Sequence, residues 1–141
     1  MRNVVFIDLN KNIFNTSEKL FNKNKFSLKY LNKFCGYLVP KENTKINVWI
    51  TIGLNNKHNL MVYDKIDKAF LVVSDASDIW NDLKITYNQL KKKSKNIVMI
   101  SLNIEKIEQK RSLLKWCIEN NNISFIEINK DDDLSIDKLY F

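Results

Sequence analysis

Glycine is scarce in this chain: Gly36 and Gly53 are the only two among 141 residues, and both lie far from the N-terminus. Loops that cradle phosphate need glycine where the backbone approaches the anion, so the usual N-terminal phosphate loop is excluded. His58 is the single histidine, on a polar stretch where an exposed side chain is expected, which leaves little material for a His-rich metal site or a His-based triad. Cys35 and Cys117 stand in apolar surroundings without CxxC or metal-ligand spacing, and are expected to be free, buried thiols. No apolar run approaches the roughly 18 to 20 residues that a membrane span needs. MRNVVFIDL is too short, and too soon followed by charge, for a signal peptide. These absences point to one soluble domain over residues 1–141, intracellular, in cytoplasm or nucleus.

Arginine is also nearly missing. Of the 23 basic residues, only Arg2 and Arg111 are arginine, although the net charge is +7. Base and phosphate recognition favour the planar guanidinium, so a lysine-driven excess beside abundant asparagine suggests composition bias rather than a nucleic-acid surface. Lys91 to Lys95, KKKSK, is expected to be a solvated helix end.

What is present is an alternation of apolar runs and helical patterns. Asn3 to Leu9, Lys68 to Ser74, Asn96 to Leu102 and Ile123 to Ile128 are short runs rich in β-branched residues, as buried strands are. Phe34 to Val39 and Lys45 to Ile52 flank Pro40 and suggest an antiparallel hairpin. Asn12 to Asn24 has a helical pattern. A second helix is expected to start on a Ser77 or Asp78 cap and run to about Lys93, burying Ile79, Leu83, Tyr87 and Leu90. A third spans Glu105 to Asn121 and carries Ile107, Leu113, Leu114, Cys117 and Ile118. Residues 131–141 form an acidic loop and the start of a further helix that stops almost at once, which would leave one sheet face under-covered and open to docking. The order predicts an α/β fold: about six strands, mostly parallel, with one antiparallel edge strand and helices on both faces.

Five segments, in order, resemble small GTPases of the Ras and Rab type. VWITIGLN, Val48 to Asn55, is similar to the family's WDTAGQE, with Trp49, Thr51 and Gly53 in place. DKAFLVVSDASDIWNDL resembles the family's fourth strand and following helix, and NIVMISLNIEK the strand ending in NKxD. FIEINKDDDLSIDKLYF resembles the ETSAK region, and VVFIDLNKNIFNTSEKLF has the length of strand, P-loop and first helix. The resemblance implies a P-loop-type, small-GTPase-like fold.

Every nucleotide motif it implies is broken. In the P-loop stretch LNKNIFNT, Leu9 and Phe14 replace the two glycines and Asn15 the lysine, leaving Thr16 alone. Ile50 stands for the Asp that supports Mg²⁺, and Leu54 for the Gln that orients water. Leu102, Asn103 and Glu105 replace the guanine-reading Asn, Lys and Asp, and EINK lacks the Ser-Ala of the base pocket. No clear Mg²⁺-ligating Thr precedes the third strand unless Thr44 is displaced there. Leu9, Ile13 and Phe14 are expected to fill the place of the nucleotide.

The sequence therefore reads as a pseudo-GTPase without catalysis, cofactor or metal, serving as a protein-interaction or scaffold subunit. The expected partner is protein rather than nucleic acid. Trp80, Trp116, Tyr140 and Phe141 are candidate anchors. The C-terminal DKLYF has no CaaX cysteine for a prenyl anchor. An alternative is an NYN- or PIN-like metal-dependent ribonuclease in which Asp8, Asp75 and Asp78, at strand ends and in the following loop, hold the ion.

Overall fold

The computed structural model describes residues 2–12, 26–32, 35–40, 46–52 and 66–129. Seven strands form one sheet: β1 (Arg2–Asp8), β2 (Phe26–Asn32), β3 (Cys35–Pro40), β4 (Ile46–Thr51), β5 (Lys68–Val73), β6 (Ile97–Leu102) and β7 (Ser124–Ile128). Two helices join the last three, α1 (Trp80–Leu90) between β5 and β6, and α2 (Ile107–Glu119) between β6 and β7. The class is α/β, as the alternation implied.

The sheet order is β2-β3-β4-β1-β5-β6-β7. Strands β4, β1, β5, β6 and β7 are parallel to their neighbours, with Val4 opposite Val48 and Phe6 opposite Phe70. Beyond β4, β3 pairs antiparallel with β4, and β2 antiparallel with β3. The seven strands compare with about six expected from the sequence. Phe26, Leu28 and Tyr30 alternate with Ser27 and Lys29, a period-two signal too short to stand out between its neighbours.

Parallel strands are buried on both faces and so consist almost wholly of apolar residues. One face carries Val5, Ile7, Leu71, Val73 and Met99, against which α1 packs Leu83 and Leu90, and α2 packs Leu113 and Cys117. Each such buried side chain contributes about 1.5–3 kcal/mol. The other face carries Val4, Phe6, Val48, Ile50, Phe70 and Ile100, with the Phe6 and Phe70 rings stacked at 4.5 Å. Both described helices thus lie on one face. The second face is not open to solvent: its central strand residues are fully buried, which removes the under-covered docking face expected from the sequence.

Helix α1 buries Ile79, Leu83, Tyr87 and Leu90 as their spacing requires. Its N-cap is Ile79, with no side-chain cap, so neither Ser77 nor Asp78 caps it, and it ends at Leu90. Helix α2 buries only Leu113 and Cys117; Ile107, Leu114 and Ile118 face solvent. Among the described residues no helix is long and apolar enough to cross a membrane.

Candidate functional site

In an open parallel sheet, ligands bind where successive connections depart to opposite sides. Here the chain leaves β1 and returns to its flank as β4, then crosses to build β5, β6 and β7 on the other flank. The carboxyl ends of β1 and β5 are therefore the place to look for a site.

The turn after β1 is closed on itself. Asp8, 1% exposed, ends the strand, and its carboxylate accepts from the backbone N–H of Asn10 at 2.9 Å and of Asn12 at 3.0 Å. Leu9 N–H donates to the Val72 carbonyl, and Lys11 N–H to the Asp8 carbonyl. All four amides of residues 9–12 are thus directed to acceptors within the chain. Lys11 adopts φ 61°, a left-handed conformation that costs a non-glycine residue about 1–2 kcal/mol, offset here by charge-assisted bonds to Asp8. The Leu9 side chain is buried in the cluster that holds Ala76 and Ile79. Ile13 and Phe14 lie outside the described residues.

Asn10 ties this turn to the loop after β5. Its Oδ1 accepts from the Ser74 N–H at 2.8 Å, the Ser74 hydroxyl at 3.2 Å and the Asp75 N–H at 3.1 Å, while its Nδ2 donates to the Asp75 carbonyl. Gln109 of α2 completes the bridge, accepting from Ala76 N–H and donating to the Asp75 carboxylate. Asp75 also accepts from Ser77, whose hydroxyl and N–H are the main reason its carboxyl lies below the usual range. Lys11 pairs with Asp82 of α1 at 3.6 Å. Asn10 lies in the stretch compared with a P-loop but is given no role there, and nothing in the sequence surroundings of Gln109 marks it.

The chain matches no protein-family model and no curated protein.

The remaining candidates divide clearly. Ile50 is fully buried in the apolar cluster with Phe6 and Phe70, and Leu102 lies in the same cluster. Glu105 is exposed in the loop before α2. Among the described residues, the side-chain oxygens of Ser101 and Asn103, beside Leu102, have no hydrogen-bond partner. Trp80 and Trp116 are half-buried and pack against the core, with Trp116 edge-on to Tyr87 at 5.1 Å. Gly53, Leu54, Thr44, Asn15, Thr16, Tyr140 and Phe141 lie outside the described residues. Among the described residues no three His, Cys, Asp or Glu side chains come together as a metal site. Cys117 is free and buried, and burial pushes its thiol up to about 11.

A surface feature was missed by the sequence reading. Ile107, Leu114 and Ile118 are 55, 44 and 59% exposed, and at 3.6 residues per turn they fall on one stripe of α2. Leu113 and Cys117 lie about 100° around the axis from that stripe. A helix with two apolar stripes buries one and offers the other.

Proposed function

We propose that this chain is a nucleotide-free, Ras/Rab-like domain that works inside the cell as a protein-interaction subunit, without catalysis. The observation that carries the reading is the closed turn after β1. A phosphate loop presents unspent N–H groups to an anion, whereas here residues 9–12 direct theirs inward and two of them hold a carboxylate. An incoming phosphate would meet the negative charge of Asp8 and would have to displace bonds worth about 1.5–3 kcal/mol each.

The small-GTPase-like fold belongs to the same proposal. The five parallel strands and the antiparallel strands beyond β4 are compatible with it. Other doubly wound sheets share the order of the parallel five, so the order of the sequence motifs favours this family among them. Strand β2 is an addition at the edge.

The α2 stripe supports the interaction role, since exposed apolar side chains in register on a helix suit a partner's groove or helix. Replacing Leu114 and Ile118 together by Glu leaves the fold unchanged, because both are solvent-facing, and abolishes co-purification of whatever protein the wild type retains from its native cells. Retention of the same partner by the double variant would show that the stripe is not the contact. The metal-nuclease alternative has less support: Asp8 and Asp75 turn their carboxylates to amides rather than to a shared ion.

A further inference from the structure

The sheet ends at β7, and among the described strands β7 pairs with β6 alone. Along a strand, the N–H and C=O of one residue point to the same side and successive residues alternate. The Ile128 carbonyl accepts from the Asn103 N–H, so the even-numbered residues of β7 turn theirs towards β6, and Phe125 and Glu127 turn theirs outwards. Ser124 and Glu127 are exposed, and Phe125 and Ile126 are half-buried. Such an edge is a template for another strand.

The exposed stripe of α2 lies on the same side. Trp116 meets Tyr87 of α1, which identifies the flank of α2 that faces α1. At 100° per residue, Leu114 is about 160° around the axis from Trp116, so Ile107, Leu114 and Ile118 look away from α1 and out past β7. Their height agrees as well. Lys110 of α2 pairs with Glu127 of β7 at 3.3 Å, and the two elements run in opposite directions. Two and a half residues of helix, at about 1.5 Å each, match one residue of strand, at about 3.3 Å, so the midpoint of the stripe stands level with Ile126.

A two-fold axis through Ile126, perpendicular to the sheet, uses both features at once. It sets β7 antiparallel to its own copy with Phe125 opposite Glu127, and each such pair exchanges both N–H···O bonds. Helix α2 touches both β6 and β7 and so lies over the interval between them. With strands about 4.8 Å apart, the two copies of α2 come to about 10 Å, the packing distance of helices. Ile107 of each copy then stands opposite Ile118 of the other. Arg111, about 160° from Leu113, lies on the side away from the sheet, where its charge stays in water. At the margin of the stripe, Glu108 of each copy comes within about 3 Å of the height of the other copy's Lys115. That lysine is 78% exposed and meets its own Glu119 only at 4.0 Å, which leaves it within reach of a second carboxylate. Glu127, held by Lys110, brings no unpaired acid to the join. We propose that the β7 edge and the α2 stripe together bind a second copy of this chain, making one continuous sheet across a symmetric dimer. The inference names the partner in the protein-interaction reading, and it rests on the stripe being the contact.

Sedimentation equilibrium of the purified chain at about 100 μM, where even a modest interface associates, tests the proposal. The wild type sediments at twice the monomer mass. Leu114→Glu with Ile118→Glu raises the dissociation constant about a hundredfold or more. Glu127→Pro does the same, because it removes an outward N–H and no bond to β6, whereas Glu127→Ala keeps that N–H and dimerises as the wild type does. Far-UV circular dichroism like that of the wild type shows each variant to be folded. A monomeric wild type, or a dimer retained by the folded Leu114/Ile118 or Glu127→Pro variant, would overturn the proposal. A monomer that still retains a different protein through Leu114 and Ile118 overturns the dimer and leaves the interaction reading standing. A dimer that depends on the stripe and also binds GTP supports the dimer and overturns only the nucleotide-free reading.

Discussion

Replacing Asp8 by Asn tests whether that carboxylate is a structural cap. The substitution preserves shape but turns one oxygen into an NH₂ group, which then faces the N–H of Asn10 or of Asn12. One charge-assisted bond, worth about 2 kcal/mol, is lost outright, and the other loses its charge, about 1 kcal/mol more. The expected cost is about 3 kcal/mol, a fall of roughly 10 °C in melting temperature for a chain of this size. Urea denaturation followed by tryptophan fluorescence should show a lower midpoint with an unchanged slope, since Trp49, Trp80 and Trp116 all pack against the core. A carboxylate held ready for a metal ion predicts the reverse, because removing an unneutralised charge from an empty site stabilises the fold. An unchanged or raised midpoint would therefore refute the cap and revive the nuclease reading.

Asp75 should make stability depend on acid. Its carboxyl lies below the ordinary range in the folded chain, so its contribution is fully present above about pH 4 and is lost as pH falls through the lowered value. The stability difference between wild type and Asp75→Asn, measured by urea denaturation, should then be constant from pH 7 to 5 and shrink towards pH 3. A difference unaffected by pH contradicts the assignment. Cys117, fully buried and with its thiol raised to about 11, should resist alkylation by iodoacetamide at neutral pH until urea unfolds the chain; rapid labelling of its tryptic peptide in the native protein would contradict its burial.

The strands of the parallel sheet were legible because burial on both faces forces continuous apolar runs such as VVFI and FLVV. Helix α1 was legible because Ile79, Leu83, Tyr87 and Leu90 form a single stripe. Helix α2 was only half legible. Its five apolar residues occupy two stripes, and sequence does not say which one meets the sheet; the geometry buries Leu113 and Cys117 and leaves Ile107, Leu114 and Ile118 outside. The missing glycines say nothing of what closes the turn after β1. That depends on Asn10 meeting Ser74 and Asp75, a contact across 64 residues created by the pairing of β1 with β5. The place of the α2 stripe beside the outer edge of β7 was equally hidden, because the two become neighbours only when the sheet assembles.

The central claim is that the domain holds no guanine nucleotide, and titration of the purified protein with GTP and Mg²⁺ tests it most directly. The account predicts no heat of binding, no rise in melting temperature, and no guanine nucleotide released from the purified protein on denaturation. One-to-one binding of GTP, with stabilisation approaching about 2.7 kcal/mol at a hundredfold excess over Kd, would contradict it.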